Sequence, residues 1–232
     1  MIRHVPFASL GRFANDWLDS RFHFDFAGVG APMGGRFGPL RVWNDDRIKA
    51  QSGFDTHGHS DMEIITYLRQ GAISHRDSLN NAGRIDAGEV QAMTAGSGIR
   101  HAEYNREDEA TLLYQIWVEP AERGLPPSWA QAPFPRAARR DRLMPLASGQ
   151  AHIAGALPIH QDATLYGALL GADRSLRHRL AGGRRAYVVL AEGAIDLDGQ
   201  VLGPRDGAAI AGVEEIRIKA GAESEILLFD LP

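Results

Sequence analysis

Between Gly53 and Asn105 two pairs of metal-ligating side chains recur at a spacing of two. The first is His57-Gly58-His59, with Glu63 soon after; the second is His101-Ala102-Glu103, with Asn105 soon after. On a β-strand residues i and i+2 point to the same face, so each pair aims both of its side chains one way. Between the pairs lie an apolar strand pattern (Met62 to Leu68), a turn at Gln70-Gly71, a second strand and a Gly-rich approach, Thr94-Ala95-Gly96-Ser97-Gly98. Facing strands of a closed sheet that carry these pairs would bring them together inside it. Neutral imidazoles and a carboxylate suit a first-row divalent metal, and three His with one Glu leave an octahedral ion about two open positions. That is the donor set of an active site rather than of a closed structural one. The other reading, two unrelated polar edge strands, leaves the recurrence unexplained.

Elsewhere the chain reads as short strands punctuated by turns. Its 232 residues include 26 glycines and no cysteine. This length makes one large β domain or two of moderate size, with enough core to fold without staples. Disulfides, thiolate nucleophiles and Cys-type zinc sites are excluded, which fits a cytoplasmic protein. A formal charge of −4 gives no general pull towards nucleic acid or an anionic membrane. The opening Met1-Ile2-Arg3-His4-Val5-Pro6 lacks the apolar core of a signal peptide, and no apolar run approaches the ~20 residues that span a bilayer. The expectation is a soluble cytoplasmic protein with no membrane association and no direct nucleic-acid binding.

Other polar residues carry plainer expectations. Arg21 to Phe26 alternates, with Phe22, Phe24 and Phe26 on one face and His23 on the other, towards solvent or a hydrogen-bond partner. Gly28 to Gly38 is a Gly/Pro-rich loop, and Leu40 to Trp43 is a strand. Asn44-Asp45-Asp46 then reads as a turn or edge solvated by water. His75, out of step with both ligand pairs, is expected to make a structural hydrogen bond. Pro126, Pro127, Pro133 and Pro135, followed by Arg136, Arg139, Arg140 and Arg142, mark a change of composition. Residues 120–150 therefore read as an inter-domain connection, with one helical turn near Ser128 to Ala132 and salt-bridged arginines rather than a nucleic-acid patch. Asp198-Gly199, between Ala194-Ile195-Asp196-Leu197 and Gln200-Val201-Leu202, signals a two-residue hairpin.

The second half repeats the first. Tyr67 to Ile73 matches Val189 to Ile195, a register that sets Arg179, Ala181 and Arg185 opposite His57, His59 and Glu63. Ile99 to Glu103 matches Ile216 to Ala220, which sets Ile218 and Ala220 opposite His101 and Glu103. His178, one residue off, would point to the other face. The second half reads as the same barrel with its ligands removed.

Gly53-Phe54-Asp55-Thr56-His57-Gly58-His59, His75-Arg76-Asp77-Ser78 and the run from Met93 to Glu103 together resemble the pirin family. The likeness extends from Trp17-Leu18-Asp19-Ser20 to Leu227-Leu228-Phe229-Asp230-Leu231-Pro232. The resemblance implies an all-β bicupin, two jelly-roll β-barrel domains facing each other in one chain. Residues 1–131 would be the N-terminal cupin with the metal, 132–150 a linker, and 151–232 a degenerate, metal-free C-terminal cupin. The family implies one divalent metal per chain, Fe(II) foremost with Mn, Ni, Co, Cu or Zn as the other candidates, held by His57, His59, His101 and Glu103. Glu63 occupies the carboxylate position of cupins in general, whereas pirins take the carboxylate two residues after the second-block histidine. Glu63 is then expected in the wall, orienting a histidine. Gly58 stands where many relatives have proline, which bears on loop stiffness rather than ligation.

The bacterial branch with quercetin dioxygenase activity is the nearest type. It implies a flavonol-like aromatic substrate and dioxygen, with the metal as Lewis acid and template. Glu103 would be the catalytic base for the substrate hydroxyl, and ring opening would release carbon monoxide. The eukaryotic branch implies a different class of function, a redox-sensing metal-binding regulator that acts through a protein partner. A zinc-dependent cupin isomerase is a third reading, but such sites favour other motifs. Ligating imidazoles must be neutral, so metal affinity is expected to fall below the ordinary histidine pKa of ~6.5.

Overall fold

Alternating apolar residues and glycine turns give strands and no α-helix; the helical content is two short 3-10 turns, Phe7–Ser9 and Arg136–Arg139. A computed structural model describes all 232 residues. The first strands are β1 (Ile2–Val5), β2 (Gly11–Ala14), β3 (Leu18–Phe22), β4 (Leu40–Ile48), β5 (Ser52–His59), β6 (Glu63–Gln70) and β7 (Ala72–Asp77). They are followed by β8 (Ala82–Asp86), β9 (Glu89–Thr94), β10 (Ile99–Asn105), β11 (Thr111–Val118), β12 (Ser128–Pro133), β13 (Met144–Ser148) and β14 (Leu157–Pro158). The last are β15 (Thr164–Leu170), β16 (Ser175–Arg179), β17 (Arg185–Glu192), β18 (Ile195–Leu197), β19 (Gln200–Leu202), β20 (Gly207–Ala211), β21 (Glu215–Ala220) and β22 (Ser224–Leu231).

The chain forms two compact units, Gly11–Phe134 with Leu157–Gln161, and Met1–Leu10 with Pro135–Ala156 and Asp162–Pro232. This differs from a division into 1–131, 132–150 and 151–232. β1 pairs along β20, Ile2 with Ile210 through Val5 with Gly207, so the first strand belongs to the second unit. β13 pairs with β15, so much of 132–150 is sheet rather than linker. Its arginines are salt-bridged, Arg136 and Arg139 both to Glu225, and Arg139 is buried. Ser128 to Ala132 is strand, not a helical turn: β12 runs antiparallel to β9, at the sheet edge where Pro133 is tolerated.

In the first unit a large sheet, β12-β9-β6-β11-β4-β3-β2, is joined by a smaller one, β5-β10-β7-β8. β6 is buried on both faces from Glu63 to Leu68, as a run with apolar residues on both faces requires. Leu18, Ile48, Leu68, Ile73, Ile85 and Leu113 form one apolar cluster, and Ile64, Met93, Ala95 and Ile99 another. Each buried Leu, Ile or Met side chain among them contributes about 1.5–3 kcal/mol relative to exposure. In the second unit the sheet β1-β20-β17-β22-β15-β13 and the sheet β16-β21-β18-β19 enclose a core that includes Leu190, Leu197, Ile216, Ile218 and Leu228. Asp198 and Gly199, at φ of 48° and 87°, make the two-residue hairpin between β18 and β19. Two antiparallel double-sheet units in one chain are the bicupin architecture. No helix is long and apolar enough to cross a membrane.

Two polar readings change. His23 is fully buried beside Trp43, so of its two expected settings the solvent-side one does not hold. Asn44-Asp45-Asp46 is no turn, because β4 runs unbroken through it and both acids are buried with partners. Arg69 donates to Asp45 at 2.8 Å, and the Ser20 hydroxyl donates to Asp46.

Candidate metal centre

β5 and β10 lie side by side with His101 opposite His57 and Ile99 opposite His59. Gly53 makes this approach possible, since a Cβ there would stand 2.2 Å from the Glu103 carbonyl oxygen. A bulge follows: His57 to Phe54 on β5 spans the same interval as His101 to Glu103 on β10. Within it the Asp55 carbonyl lies 2.8 Å from His57 Nδ1. A carbonyl only accepts, so Nδ1 carries the proton and Nε2 keeps its lone pair. His101 Nε2 lies 3.1 Å from His57 Nε2 and 3.0 Å from His59 Nε2. Nitrogens bound at right angles to one ion at ~2.1 Å are about 3.0 Å apart, so the three imidazoles fit a divalent metal. Their lone pairs otherwise converge on each other.

Glu103 is buried one step along the same strand face. Its Oε1 accepts from Gln91 Nε2 at 2.5 Å and its Oε2 from Gln115 Nε2 at 2.6 Å. Thr66 Oγ1 lies 3.4 Å from Oε1, and Trp129 Nε1 donates to Gln91 Oε1 at 2.8 Å, which fixes the direction of that amide. These groups form a row: Gln91 is the register partner of Thr66, Thr66 of Gln115, and Gln115 of Asn44. Four adjacent strands thus present a polar stripe on the inner surface.

The three imidazoles and Glu103 line one cavity of about 350 Å³, within the ~300–1,000 Å³ usual for small-molecule sites. Phe22, Phe26, Phe54, Ile64 and Trp117 make its apolar wall. Trp117 meets His59 edge-on at 4.9 Å between ring centroids, and Phe26 meets Trp117 at 5.4 Å. Ser20, Asn44 and Asp46 are its remaining polar lining. Burial above all, with the charges of Asp45 and Glu103 adding and the Ser20 hydrogen bond opposing, raises the Asp46 carboxyl to about 7.

Comparison with known proteins agrees with this geometry. Residues 6–118 match the Pirin family model, and residues 146–231 match that of the quercetinase C-terminal cupin domain. The chain belongs to the pirin family. A pirin-like protein of Caulobacter vibrioides is 48% identical over 230 residues, 99% of each chain. The quercetin 2,3-dioxygenase of Escherichia coli K12 is 41% identical over 223 residues, 96% of this chain and 95% of that one. The crystal structure of the bacterial pirin YhhW from Escherichia coli in complex with nickel(II) superposes with a TM-score of 0.94 at 40% identity, covering 100% of this chain and 99% of that one. A divalent metal at a histidine cluster is therefore a property this pirin's residues fit.

Glu63 does not orient a histidine. Ile64 faces the cavity, so Glu63 points to the other side of β6, where Thr94 Oγ1 donates to it at 2.9 Å and the His160 backbone adds a bond. His75 keeps its structural hydrogen bond, Nε2 to Asp77 Oδ2 at 3.1 Å. It also stacks on Trp129 at 4.9 Å and stands behind His101 and Glu103, with donor atoms of all three within 4.8 Å. Its sequence position gave no sign of that, because β7 meets β10 only through sheet register.

In the second unit of this pirin the register departs from the one read in the sequence. Ile195 pairs with Ala220 and Leu197 with Ile218, while Ile216 pairs with His178. With Ile195 matched to Ile73, Ile216 and Ile218 take the places of His101 and Glu103, and His178 and Leu180 those of His57 and His59. The cause is loop length: residues 181–184 precede β17 where only 60–62 precede β6, and 212–214 replace 95–98 before β21. His178 therefore shares the inner face of its strand, but Asp230 holds its Nε2 at 2.7 Å, and its three companions are apolar.

Burial first, then the neighbouring imidazoles, lowers the pKa of His59 to about 4 and of His101 to about 3. Protonation of these two imidazoles thus begins well below the ~6.5 of a free histidine, lower than the sequence suggested. The sign for stability follows. Below ~6.5 the unfolded chain takes up protons at these two rings that the folded one refuses, so in metal-free protein they cost stability as pH falls from about 6.5 towards 4, while the raised Asp46 and Glu63 carboxyls act in the opposite sense. The check compares chelated wild type with chelated His59→Gln across that window: the variant's thermal midpoint should fall less with pH, and an equal fall would contradict the burial of that ring.

Proposed function

We propose that this pirin binds one divalent metal, Fe(II), at His57, His59, His101 and Glu103, and cleaves quercetin-like flavonols with dioxygen. The observation that carries the reading is the convergence of His57 Nε2 and His59 Nε2 on His101 Nε2, at 3.1 and 3.0 Å, on the wall of an aromatic-lined cavity that Glu103 also lines. The quercetin dioxygenase name of a relative similar over nearly the whole chain supports the substrate class.

A divalent ion held there by His57, His59, His101 and Glu103 would supply a Lewis acid and a template for the substrate. Phe22, Phe26, Phe54 and Trp117 hold the planar ring system and exclude water. Glu103 accepts the proton of the flavonol hydroxyl. A carboxylate has about four lone-pair sites, so the bonds from Gln91 and Gln115 leave it capacity for a metal and a proton. The substrate anion then reacts with dioxygen: two carbon–carbon bonds of the heterocycle break, both oxygen atoms enter the cleaved product, and one ring carbon leaves as carbon monoxide.

The test is dioxygen uptake with quercetin after chelation and reconstitution with Fe(II), Mn, Ni, Co, Cu or Zn. Uptake should require metal and be fastest with Fe(II). Full uptake by chelated protein, or none with any metal, would overturn the proposal.

A further inference from the structure

The polar stripe does not end at Glu103's partners. Gln91, Thr66 and Gln115 are engaged with that carboxylate, but Asn44, next in the row, is not. Asn44 is 5% exposed, lines the cavity, and its Oδ1 has no hydrogen-bond partner. Asp46, two residues on and so on the same strand face, also lines the cavity at 2% exposure, and one of its oxygens accepts from Ser20. An unmade hydrogen bond at a buried amide costs ~1–3 kcal/mol, so these groups call for a polar partner from within the cavity.

The partner's chemistry can be read from the donors and acceptors. Asn44 Oδ1 and a carboxylate oxygen both accept, so the partner must donate, and a phenolic hydroxyl is such a donor. The surrounding wall is aromatic, so the hydroxyl arrives on a ring. We propose that Asn44 and Asp46 together recognise a second hydroxyl of the aromatic substrate, one remote from the oxygens at the imidazole cluster, and so make this pirin select polyhydroxylated flavonols. Asn44 and Asp46 are specificity-determining residues, and Ser20 orients Asp46. This rests on the flavonol reading above.

The experiment measures binding rather than turnover. Dissociation constants of 3-hydroxyflavone, 3,5,7-trihydroxyflavone and quercetin are obtained by fluorescence quenching, anaerobically, for metal-loaded wild type, Asn44→Ala, Asn44→Ser and Asp46→Asn. Wild type should prefer one or both of the more hydroxylated ligands by about tenfold or more, as expected when a buried acceptor is otherwise left unpaired. Asn44→Ala and Asp46→Asn should bring that ratio close to one, while Asn44→Ser restores part of it. Equal weakening for all three flavonols, at unchanged melting temperature, would mean a purely structural role and overturn the proposal. So would a wild type that binds all three alike or binds none. Discrimination without any dioxygen uptake would sustain this pair as a polyphenol-binding determinant while removing the dioxygenase reading. Uptake with no change of ratio in the variants would do the reverse.

Discussion

His101→Ala is expected to lose bound metal and flavonol turnover together. His101 is the centre of the cluster, since its Nε2 is the atom within 3.1 Å of both other imidazoles. Without it two histidines of β5 and a carboxylate remain, and β10 offers no other nitrogen at that point. The folding consequence is separable, because a metal-free wild type already lacks whatever stability the ion adds. Metal content by atomic spectroscopy, with melting of metal-free wild type and variant side by side, checks this. Stoichiometric metal in a folded His101→Ala protein would contradict the ligand assignment.

Glu103→Gln should leave a loaded protein that binds flavonol and turns it over ~10²–10⁴-fold more slowly, the usual worth of general-base help. If Glu103 were a ligand alone, the change would weaken metal binding and leave the loaded fraction active. The hydrogen-bond stripe tolerates the amide at one place only. Gln91 is locked by Trp129 with its NH2 towards residue 103, so the new side chain must turn its carbonyl to Gln91 and its NH2 to Gln115. Gln115 can rotate its amide to accept, which keeps the row intact. Single-turnover rates at equal metal occupancy decide the matter; a rate within about threefold of wild type would contradict the assignment of base.

The histidine cluster was legible in the sequence because a period of two is a statement about direction, and direction is what brought His57, His59 and His101 to one cavity. The same logic failed for Asn44-Asp45-Asp46, a run with the composition of a turn. Its burial depends on Arg69 and Ser20, which lie 24 and 26 residues away in the chain and adjacent only in the sheet. Gln91, Thr66, Gln115 and Asn44 were invisible for a related reason, since a row across four strands is set by register and leaves no local pattern. Trp129 was hidden in a proline-flanked stretch that looked like a connection and is an edge strand. In the second half the repeat was recognisable, but one extra loop residue turned His178 inward instead of Arg179.

The most direct test of the whole account is the ratio of carbon monoxide released to dioxygen consumed when Fe(II)-loaded protein, carrying one metal per chain, acts on quercetin. Equal amounts, with neither gas exchanged by chelated protein or by His101→Ala, is the predicted result. Dioxygen consumption without carbon monoxide, or carbon monoxide release that survives loss of the metal, would contradict it.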